Sequence, residues 1–203
     1  MAIQRCSFLT LNVRGLKNRI KRKSIFSYMK DQNCNFYLLQ ETFSEPKDEA
    51  IWRNEWGGDV FFSHGTNHSK GVCILVNPLV ATTVENTYKD IDGRIIAIDV
   101  VCNEVSFSIC NVYAPTSPQL QGKFLQILNE FLTSNLNITQ LIVGGDWNVT
   151  LESIDKRGGT LWKQTAYRNS VVSMMYSLDL IDIFRKLKPN TKSCSYESKF
   201  LKV

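Results

Sequence analysis

Short strand-like runs, separated by turn-forming residues, occupy the middle of this 203-residue chain. Gly, Asn and Asp interrupt the runs, as is typical of antiparallel neighbours joined by hairpins. The predicted strands cover residues 6–12, 36–40, 59–63, 72–76, 80–87, 94–101, 105–112 and 141–143, with a last β-prone piece at 194–196. Because these runs are numerous and spread along the chain, we expect β-sheet to form the centre of the fold.

Apolar residues recur at helical spacing in three other segments. One segment ends near residue 31, the second covers residues 118–132, and the third precedes residue 179. The residues that carry the spacing are Ile20, Ile25, Phe26 and Met29; Phe124, Leu125, Leu128, Phe131 and Leu132; and Tyr167, Val171, Met174, Met175 and Leu178. Strands with packed helices, and no repeat or linker, predict one domain over residues 1–203 with an α/β sandwich architecture.

Composition limits the class of protein and the kind of metal site. The 43% hydrophobic content is enough to fill a core, and no apolar stretch reaches the length of a membrane span. We therefore expect a globular intracellular protein without a signal peptide. Six scattered cysteines without a C-x-x-C pair indicate reduced, structural thiols. With only His64 and His68 as imidazoles, any metal is expected to be held by oxygen ligands.

The net charge of +5 is unevenly distributed, because six basic residues fall within residues 14–23. They are Arg14, Lys17, Arg19, Lys21, Arg22 and Lys23. Such a run favours a polyanionic partner, but a solvated helix face is an equally good interpretation. His64 and His68 have i, i+4 spacing, yet Gly65 and Asn67 argue against a helix. We expect the two histidines to be exposed on a hairpin.

Polar residues follow four of the predicted strands where the apolar runs end. They are Asn12, the pair Gln40 and Glu41, the pair Asn111 and Tyr113, and the pair Asp146 and Asn148. Singly, each has an ordinary structural explanation such as a turn, a cap or a core aromatic. Together they provide an acid for a cation, neutral donors for a phosphate and an acid that could orient water. That combination is what phosphodiester hydrolysis requires.

Six motifs in the same order as these clusters carry a family resemblance. LTLNVRGL, LLQET, GVCILV, NVYAP, GGDWNV and LDLIDIFRKLKPNTKS, between residues 9 and 193, resemble the endonuclease/exonuclease/phosphatase superfamily that includes DNase I. NVRGLKNRIKRKSIF and LESIDKRGG further resemble the endonuclease domains of LINE-type retrotransposons. Abasic-site repair enzymes and lipid phosphatases of the superfamily resemble the chain less well there. The resemblance implies two mainly antiparallel sheets packed as a sandwich and flanked by helices.

The resemblance also implies roles for individual residues. Glu41 would bind Mg²⁺, with Mn²⁺ as the alternative ion, and Asn12 would support that metal site. Tyr113 would contact the scissile phosphate, Asp146 would orient or activate the attacking water, and Asn148 would stabilise charge on the phosphoryl oxygens.

Three further residues are expected to contact nucleic acid. Arg14 follows the first motif, and Arg157 lies in a loop where an ordinary surface arginine is the equal alternative. Ser195 falls where the family has a Thr or Ser, although SCSY departs from the usual Thr-Trp or Thr-Phe form.

Two motifs of the superfamily, a Ser-Arg-Ile-Asp-like stretch and a final Ser-Asp-His, do not occur in these 203 residues. We therefore expect a domain that lacks its last strands, with weak nuclease activity or none. The resemblance implies a nuclear endonuclease that nicks double-stranded DNA for retrotransposition, with a reverse transcriptase domain in the same polyprotein. An abasic-site repair endonuclease and a catalytically inactive DNA-binding remnant are the alternatives. A phosphatase of small or lipid phosphates is disfavoured by the basic run.

Overall fold

A computed structural model describes residues 6–136, 140–156, 162–192 and 201–202. Within these ranges nine strands form two sheets, and the chain also forms five α-helices. The strands are β1 Ser7–Asn12, β2 Phe36–Gln40, β3 Val60–Ser63, β4 Val72–Val76, β5 Thr82–Lys89, β6 Ile95–Cys102, β7 Val105–Tyr113, β8 Leu141–Asp146 and β9 Leu201–Lys202. The helices are α1 Arg19–Gln32, α2 Glu49–Trp56, α3 Pro118–Asn135, α4 Ala166–Ser177 and α5 Ile183–Leu187.

Both sheets are mixed, and antiparallel pairs predominate in each. The first sheet has the order β3-β4-β2-β1-β9, and the second has the order β5-β6-β7-β8. Only β1 with β2 and β7 with β8 pair in parallel among the described strands. The predicted architecture of two mainly antiparallel sheets flanked by helices is confirmed.

The two parallel pairs are built as strand–helix–strand units, because a parallel partner requires a crossover connection. Helix α1 connects β1 to β2, and α3 connects β7 to β8. In such a unit both strands run in the same direction, so their carboxyl ends lie at the same edge of the sheet. Each sheet therefore brings two strand ends to one edge.

The apolar residues alternate between three layers of core, as the period of two along a strand requires. One layer lies between the first sheet and helices α1 and α2. There Leu9, Tyr37 and Leu39 of the strands pack against Phe26 of α1 and against Trp52 and Trp56 of α2. The opposite face of the same strands packs against the second sheet through Phe36, Leu38, Ile96, Ile98 and Ile109. The outer face of the second sheet packs against α3 and α4 through Ala97, Val112, Leu128 and Val171. The order of layers is helices, sheet, sheet, helices.

The structure corrects three details of the prediction. Helix α2 was not predicted, although Trp52 and Trp56 at i, i+4 spacing and Gly57 at its carboxyl end are a helical signal. Strand β5 begins two residues later than expected. The step from β4 to β5 is a crossover between sheets instead of a hairpin, because β4 pairs with β2 and β3 while β5 pairs with β6.

The histidine prediction is wrong for His64 and agrees with the structure for His68. His68 is exposed. The His64 side chain is only 15% exposed, because its ring stacks on Phe62 and its nitrogens lie 3.1 Å from Ser44 Oγ and 2.9 Å from Glu49 Oε1. A short, locally polar loop does not reveal partners that are distant in sequence.

Among the described residues, Cys6, Cys73, Cys102 and Cys110 are free thiols, and Cys6 Sγ lies 3.7 Å from Cys102 Sγ. Cys194 lies outside the described residues. Across the described ranges, none of the helices combines the length and the apolar character of a membrane span.

Candidate active site

The polar residues predicted at the strand ends meet where the two sheets lie against each other. Asn12 ends β1 and Glu41 follows β2, so both lie at one edge of the first sheet. Tyr113 ends β7 opposite Asp146 at the end of β8, at the corresponding edge of the second sheet. The cluster therefore contains side chains from both sheets, and the two strand–helix–strand units position it.

Asn12 connects the two acidic side chains of the cluster. Its Nδ2 donates to Glu41 Oε1 at 2.9 Å and to Asp146 Oδ2 at 2.8 Å. Its Oδ1 accepts from the backbone N–H of Arg14 at 3.2 Å. The amide nitrogen, rather than the oxygen, is therefore directed at the carboxylates in this arrangement. Asn12 holds two like charges close together, and the prediction that it also binds a metal stays a prediction.

Tyr113 contacts the same carboxylate from the second sheet. Its hydroxyl donates to Glu41 Oε1 at 2.8 Å. Burial, and then the hydrogen bond to Glu41, raise the pKa of Tyr113 to about 12. The phenol is therefore protonated at neutral pH and serves as a neutral donor beside the carboxylate.

Asp146 ends β8, and Asn148 lies in the turn that follows. The backbone N–H of Asn148 donates to Asp146 Oδ1 at 3.0 Å, and Asn148 Nδ2 donates to the Ala114 carbonyl at 2.7 Å. An amide carries two N–H donors, so Asn148 keeps capacity for a second acceptor. Asn148 and Glu41 both have left-handed backbone conformations, with φ of 48° and 53°. Such conformations cost about 1 kcal/mol in residues other than Gly and concentrate at functional sites.

Two glycines before Asp146 allow β8 to lie close to its neighbours. A Cβ on Gly144 would lie 2.5 Å from Leu38 Cδ1 in the first sheet. A Cβ on Gly145, whose φ is 136°, would lie 2.0 Å from the Val112 carbonyl oxygen. The Gly-Gly pair therefore brings Asp146 within reach of Asn12.

The donor set fits a hard divalent cation. Glu41 and Asp146 supply two half-buried carboxylates, and Mg²⁺ typically takes one or two protein carboxylates and retains several waters. The described residues contain no group of three or more His, Cys, Asp or Glu side chains that could hold a metal ion. Such a group would instead be expected for a metal bound entirely by the protein. Oxygen ligation with retained water is the chemistry that these residues support.

The residues predicted to contact nucleic acid are only partly described. Arg14 is exposed next to the site and has a positive φ of 47°. Arg157 and Ser195 lie outside the described residues.

The basic run containing Arg14 is not one solvated surface. Arg22 is buried, forms a bidentate pair with Glu55 at 2.7 and 3.1 Å, and donates to the Leu16 carbonyl. Lys17 binds Glu45 and Asp48. The interpretation of this run as a solvated helix face is therefore wrong for these two residues, which form ion pairs with acidic side chains of residues 45–55.

Two residues near the site were missed by the sequence analysis. The Arg94 guanidinium lies 5.0 Å from the centre of the Tyr113 ring, and Arg94 Nη1 donates to the Tyr113 carbonyl at 3.0 Å. Tyr167 on α4 donates its hydroxyl to the Trp147 carbonyl at 3.1 Å, between Asp146 and Asn148. The Asp-Gly-Arg turn before β6 was a possible signal for Arg94. Nothing in the local sequence distinguishes Tyr167 from a core aromatic.

Solved structures with the same architecture come from several organisms. An AP endonuclease from Archaeoglobus fulgidus aligns with a TM-score of 0.72 and 22% identity, over 92% of this chain and 76% of that chain. A 3′ phosphatase from Neisseria bound to a product DNA hairpin aligns with a TM-score of 0.73 and 18% identity, over 93% and 76%. An AP endonuclease from Leishmania major aligns with a TM-score of 0.69 and 18% identity, over 92% of this chain and 71% of that chain. At these identities the comparisons establish the fold.

Sequence comparison gives the family. The transposon TX1 uncharacterized 149 kDa protein of Xenopus laevis is 30% identical over 190 residues, which are 94% of this chain. The chain spans only 14% of the length of that relative. A model of the Endonuclease/Exonuclease/phosphatase family matches residues 9–181, a segment that begins in β1 and contains all five residues of the cluster. The predicted resemblance is thereby confirmed, and the chain belongs to the endonuclease/exonuclease/phosphatase family.

Proposed function

We propose that the chain is a Mg²⁺-dependent phosphodiesterase that nicks double-stranded DNA, with Mn²⁺ as an alternative ion. The observation that carries this proposal is the pair of carboxylates, Glu41 and Asp146, held by one Asn12 amide beside the Tyr113 hydroxyl. Membership of the family, and the DNA hairpin in the Neisseria structure, support a nucleic-acid phosphodiester as the substrate.

The chain's own residues divide the work as follows. Glu41 accepts hydrogen bonds from Asn12 and Tyr113 at Oε1, so that Oε2 is available to a cation. A divalent cation bound there would supply positive charge against the charge that develops on the phosphoryl oxygens. The protonated Tyr113 hydroxyl donates to the Glu41 carboxylate. When a phosphate oxygen replaces that carboxylate as the acceptor, the hydroxyl can donate to the phosphate instead.

Asp146 orients the attacking water. Each of its carboxylate oxygens accepts one hydrogen bond, from Asn12 and from the Asn148 backbone, which fixes the plane of the group. A carboxylate oxygen can accept more than one hydrogen bond, so Asp146 can accept a proton or a hydrogen bond from water. Asn148 supplies a neutral N–H near the reacting group.

The transposon relative supports the biological setting of the proposal. We propose that the nick creates the primer end for insertion of a LINE-type element, in the nucleus, by a polyprotein that also carries a reverse transcriptase. The support is the 30% identity to a 149 kDa transposon protein, of which the chain corresponds to a small part.

The test measures conversion of supercoiled plasmid to nicked circle in Mg²⁺ and in EDTA. Because neither Ser-Arg-Ile-Asp nor Ser-Asp-His occurs in these 203 residues, the assay uses the chain alone and the chain carried through those motifs. We expect nicking by the longer polypeptide to require Mg²⁺ and to be lost in Glu41→Ala. The control is Glu85→Ala, which removes an exposed carboxylate of β5. Absence of nicking, or nicking unaffected by Glu41→Ala, would contradict the proposal.

Two other functions are distinguished by the same reagents. An abasic-site endonuclease, suggested by the fold of the AP endonucleases, would cleave a duplex with an abasic site far faster than an intact one. An inactive DNA-binding protein would bind duplex DNA with strong salt dependence and show no Mg²⁺-dependent cleavage.

A further inference from the structure

Two polar residues from the strand-end motifs, Gln40 and Asn111, are buried between the sheets and take no part in the proposed chemistry. Gln40 is 1% exposed and Asn111 is 0% exposed. Gln40 lies on β2 directly before Glu41, and Asn111 lies on β7 two residues before Tyr113. They are the buried amides closest in sequence to the acid and the phenol of the site.

Gln40 and Asn111 bond to each other and join the two sheets. Gln40 Nε2 donates to Asn111 Oδ1 at 2.7 Å. Asn111 Nδ2 donates to the carbonyls of Leu39 on β2 and Cys73 on β4, each at 2.9 Å. One side chain of the second sheet therefore makes three hydrogen bonds to the first sheet. Most of the surrounding interface consists of aliphatic and aromatic side chains.

The difference between these two kinds of contact matters for the site. Apolar packing is non-directional, so it holds the sheets together without strongly selecting one lateral position. Hydrogen bonds require a distance near 2.9 Å and a narrow angle, so they select one position. The Tyr113–Glu41 and Asn12–Asp146 hydrogen bonds both cross from one sheet to the other, and both depend on that position.

We propose that Gln40 and Asn111 form an inter-sheet clamp that positions Glu41 and Tyr113 for cation and phosphate binding. Asn111 and Tyr113 are two residues apart on one strand, so their side chains project from the same face toward the first sheet. Gln40 fixes the strand end that carries Glu41. The inference rests on the proposed function, because it assigns these two amides the role of positioning residues for that site.

The test compares Gln40→Leu, Asn111→Leu and the double variant with Asn77→Leu. Asn77 is a suitable control because it is 6% exposed and its amide donates to the Cys34 carbonyl at 2.9 Å, at the opposite end of the first sheet from Glu41. Each single substitution leaves buried polar partners unsatisfied, whereas replacing both partners of a bond with apolar groups can restore stability. The double variant removes both partners of the Gln40–Asn111 bond, so it is expected to lose less stability than the sum of the losses in the two single variants.

Two readouts separate positioning from stability. The first is Mg²⁺ affinity by calorimetry, which we expect to fall by about 10- to 100-fold in the double variant, the usual effect of losing groups that support metal ligands. In Asn77→Leu we expect the affinity to stay within about twofold of the wild type. The second, in metal-free protein, is the amide NMR signals of Gly15 and Asn148, which bond to the Glu41 carbonyl and to Asp146. Both signals should shift in the double variant and stay unchanged in the control.

The outcomes are distinguishable. Unchanged amide signals in the double variant, or Mg²⁺ affinity equal to that of Asn77→Leu, overturn the clamp even when the wild type binds Mg²⁺ and nicks DNA. A wild-type chain that binds no Mg²⁺ contradicts the proposed function, and with it the role that we assign to the clamp.

Discussion

Replacement of Glu41 by Gln should leave the stability of the metal-free chain nearly unchanged and remove its response to Mg²⁺. Glu41 Oε1 and Asp146 Oδ2 both lie within 2.9 Å of Asn12 Nδ2. The two charges are therefore at most about 6 Å apart, which at an effective dielectric constant of about 20 corresponds to a repulsion of roughly 3 kcal/mol. Both groups are half-buried, so solvent reduces this value.

Two hydrogen bonds oppose that repulsion. Glu41 accepts from Asn12 and from the Tyr113 hydroxyl, and a bond to a charged acceptor is worth about 1 kcal/mol more than a bond to a neutral one. The Glu41→Gln substitution would remove the repulsion and weaken both bonds together. The net change in the free energy of unfolding is thus expected to lie within about 1 kcal/mol of zero.

Added Mg²⁺ separates the variant from the wild type. A ligand at ten times its dissociation constant stabilises the folded state by about 1.4 kcal/mol, or roughly 3–6 °C in melting temperature for a chain of this size. We expect this increase in the wild type and none in Glu41→Gln, measured by thermal unfolding in EDTA and in a Mg²⁺ series.

The matched control is Glu55→Gln, which neutralises a carboxylate that serves packing. Glu55 pairs with buried Arg22, and breaking such a pair costs about 3–5 kcal/mol. This variant should melt lower than the wild type in EDTA but keep the Mg²⁺-dependent increase. The reasoning is refuted if Glu41→Gln costs as much stability as Glu55→Gln, or if Mg²⁺ stabilises both variants equally.

Three further predictions concern single groups. Tyr167→Phe removes one hydrogen bond to a backbone carbonyl and should cost about 1 kcal/mol in chemical unfolding. Tyr37→Phe should cost about 2 kcal/mol or more, because its buried hydroxyl also accepts from the Cys34 N–H. Only Tyr167→Phe should slow plasmid nicking, by roughly fivefold. Equal nicking by the two variants would exclude a role for Tyr167 in holding the turn after β8. The hydrogen bond from Arg22 lowers the pKa of Glu55 below its ordinary 4.5. The stabilisation that Glu55 provides is therefore present above about pH 4.5 and is lost as the pH falls through the pKa of Glu55 in the folded chain. Urea unfolding across a pH series should show less acid sensitivity in Arg22→Leu than in the wild type, and an unchanged profile would contradict the pairing. Because the pKa of Tyr113 is raised from 10.0 to about 12, its contribution to stability is present below about pH 10 and is lost as the pH rises toward 12. The difference in tyrosinate absorbance between the wild type and Tyr113→Phe should titrate near pH 10 after unfolding and near pH 12 in the folded chain. Identical titration of this difference in both states would refute the assignment.

Strands that are buried on both faces were the most predictable part of the fold. β2 and β4 occur at the predicted residues, because each is a continuous apolar run bounded by polar residues. β5 was displaced by two residues, since it is an edge strand that is largely exposed and contains an irregularity between Val84 and Asn86. Its apolar pattern is therefore weak.

Pairing between distant segments was not readable from the sequence. Helix α2 is held by contacts of Trp52 and Trp56 with Phe26 on α1, and the sequence does not show which helix will cover them. The strand-end motifs predicted Asn12, Glu41, Tyr113, Asp146 and Asn148 as one group, and the fold brings them together. Tyr167 supports this group through the Trp147 backbone carbonyl, and a carbonyl contact leaves no signature in sequence.

The most direct test of the account is the position of a bound cation. Anomalous scattering from crystals of the chain soaked in Mn²⁺ should show one strong peak within coordination distance of Glu41, on the side of Asp146, and no such peak in Glu41→Gln. A peak at the acidic groups around Lys17 instead, or a peak that persists in Glu41→Gln, would contradict the assignment of this cluster as the metal-dependent site.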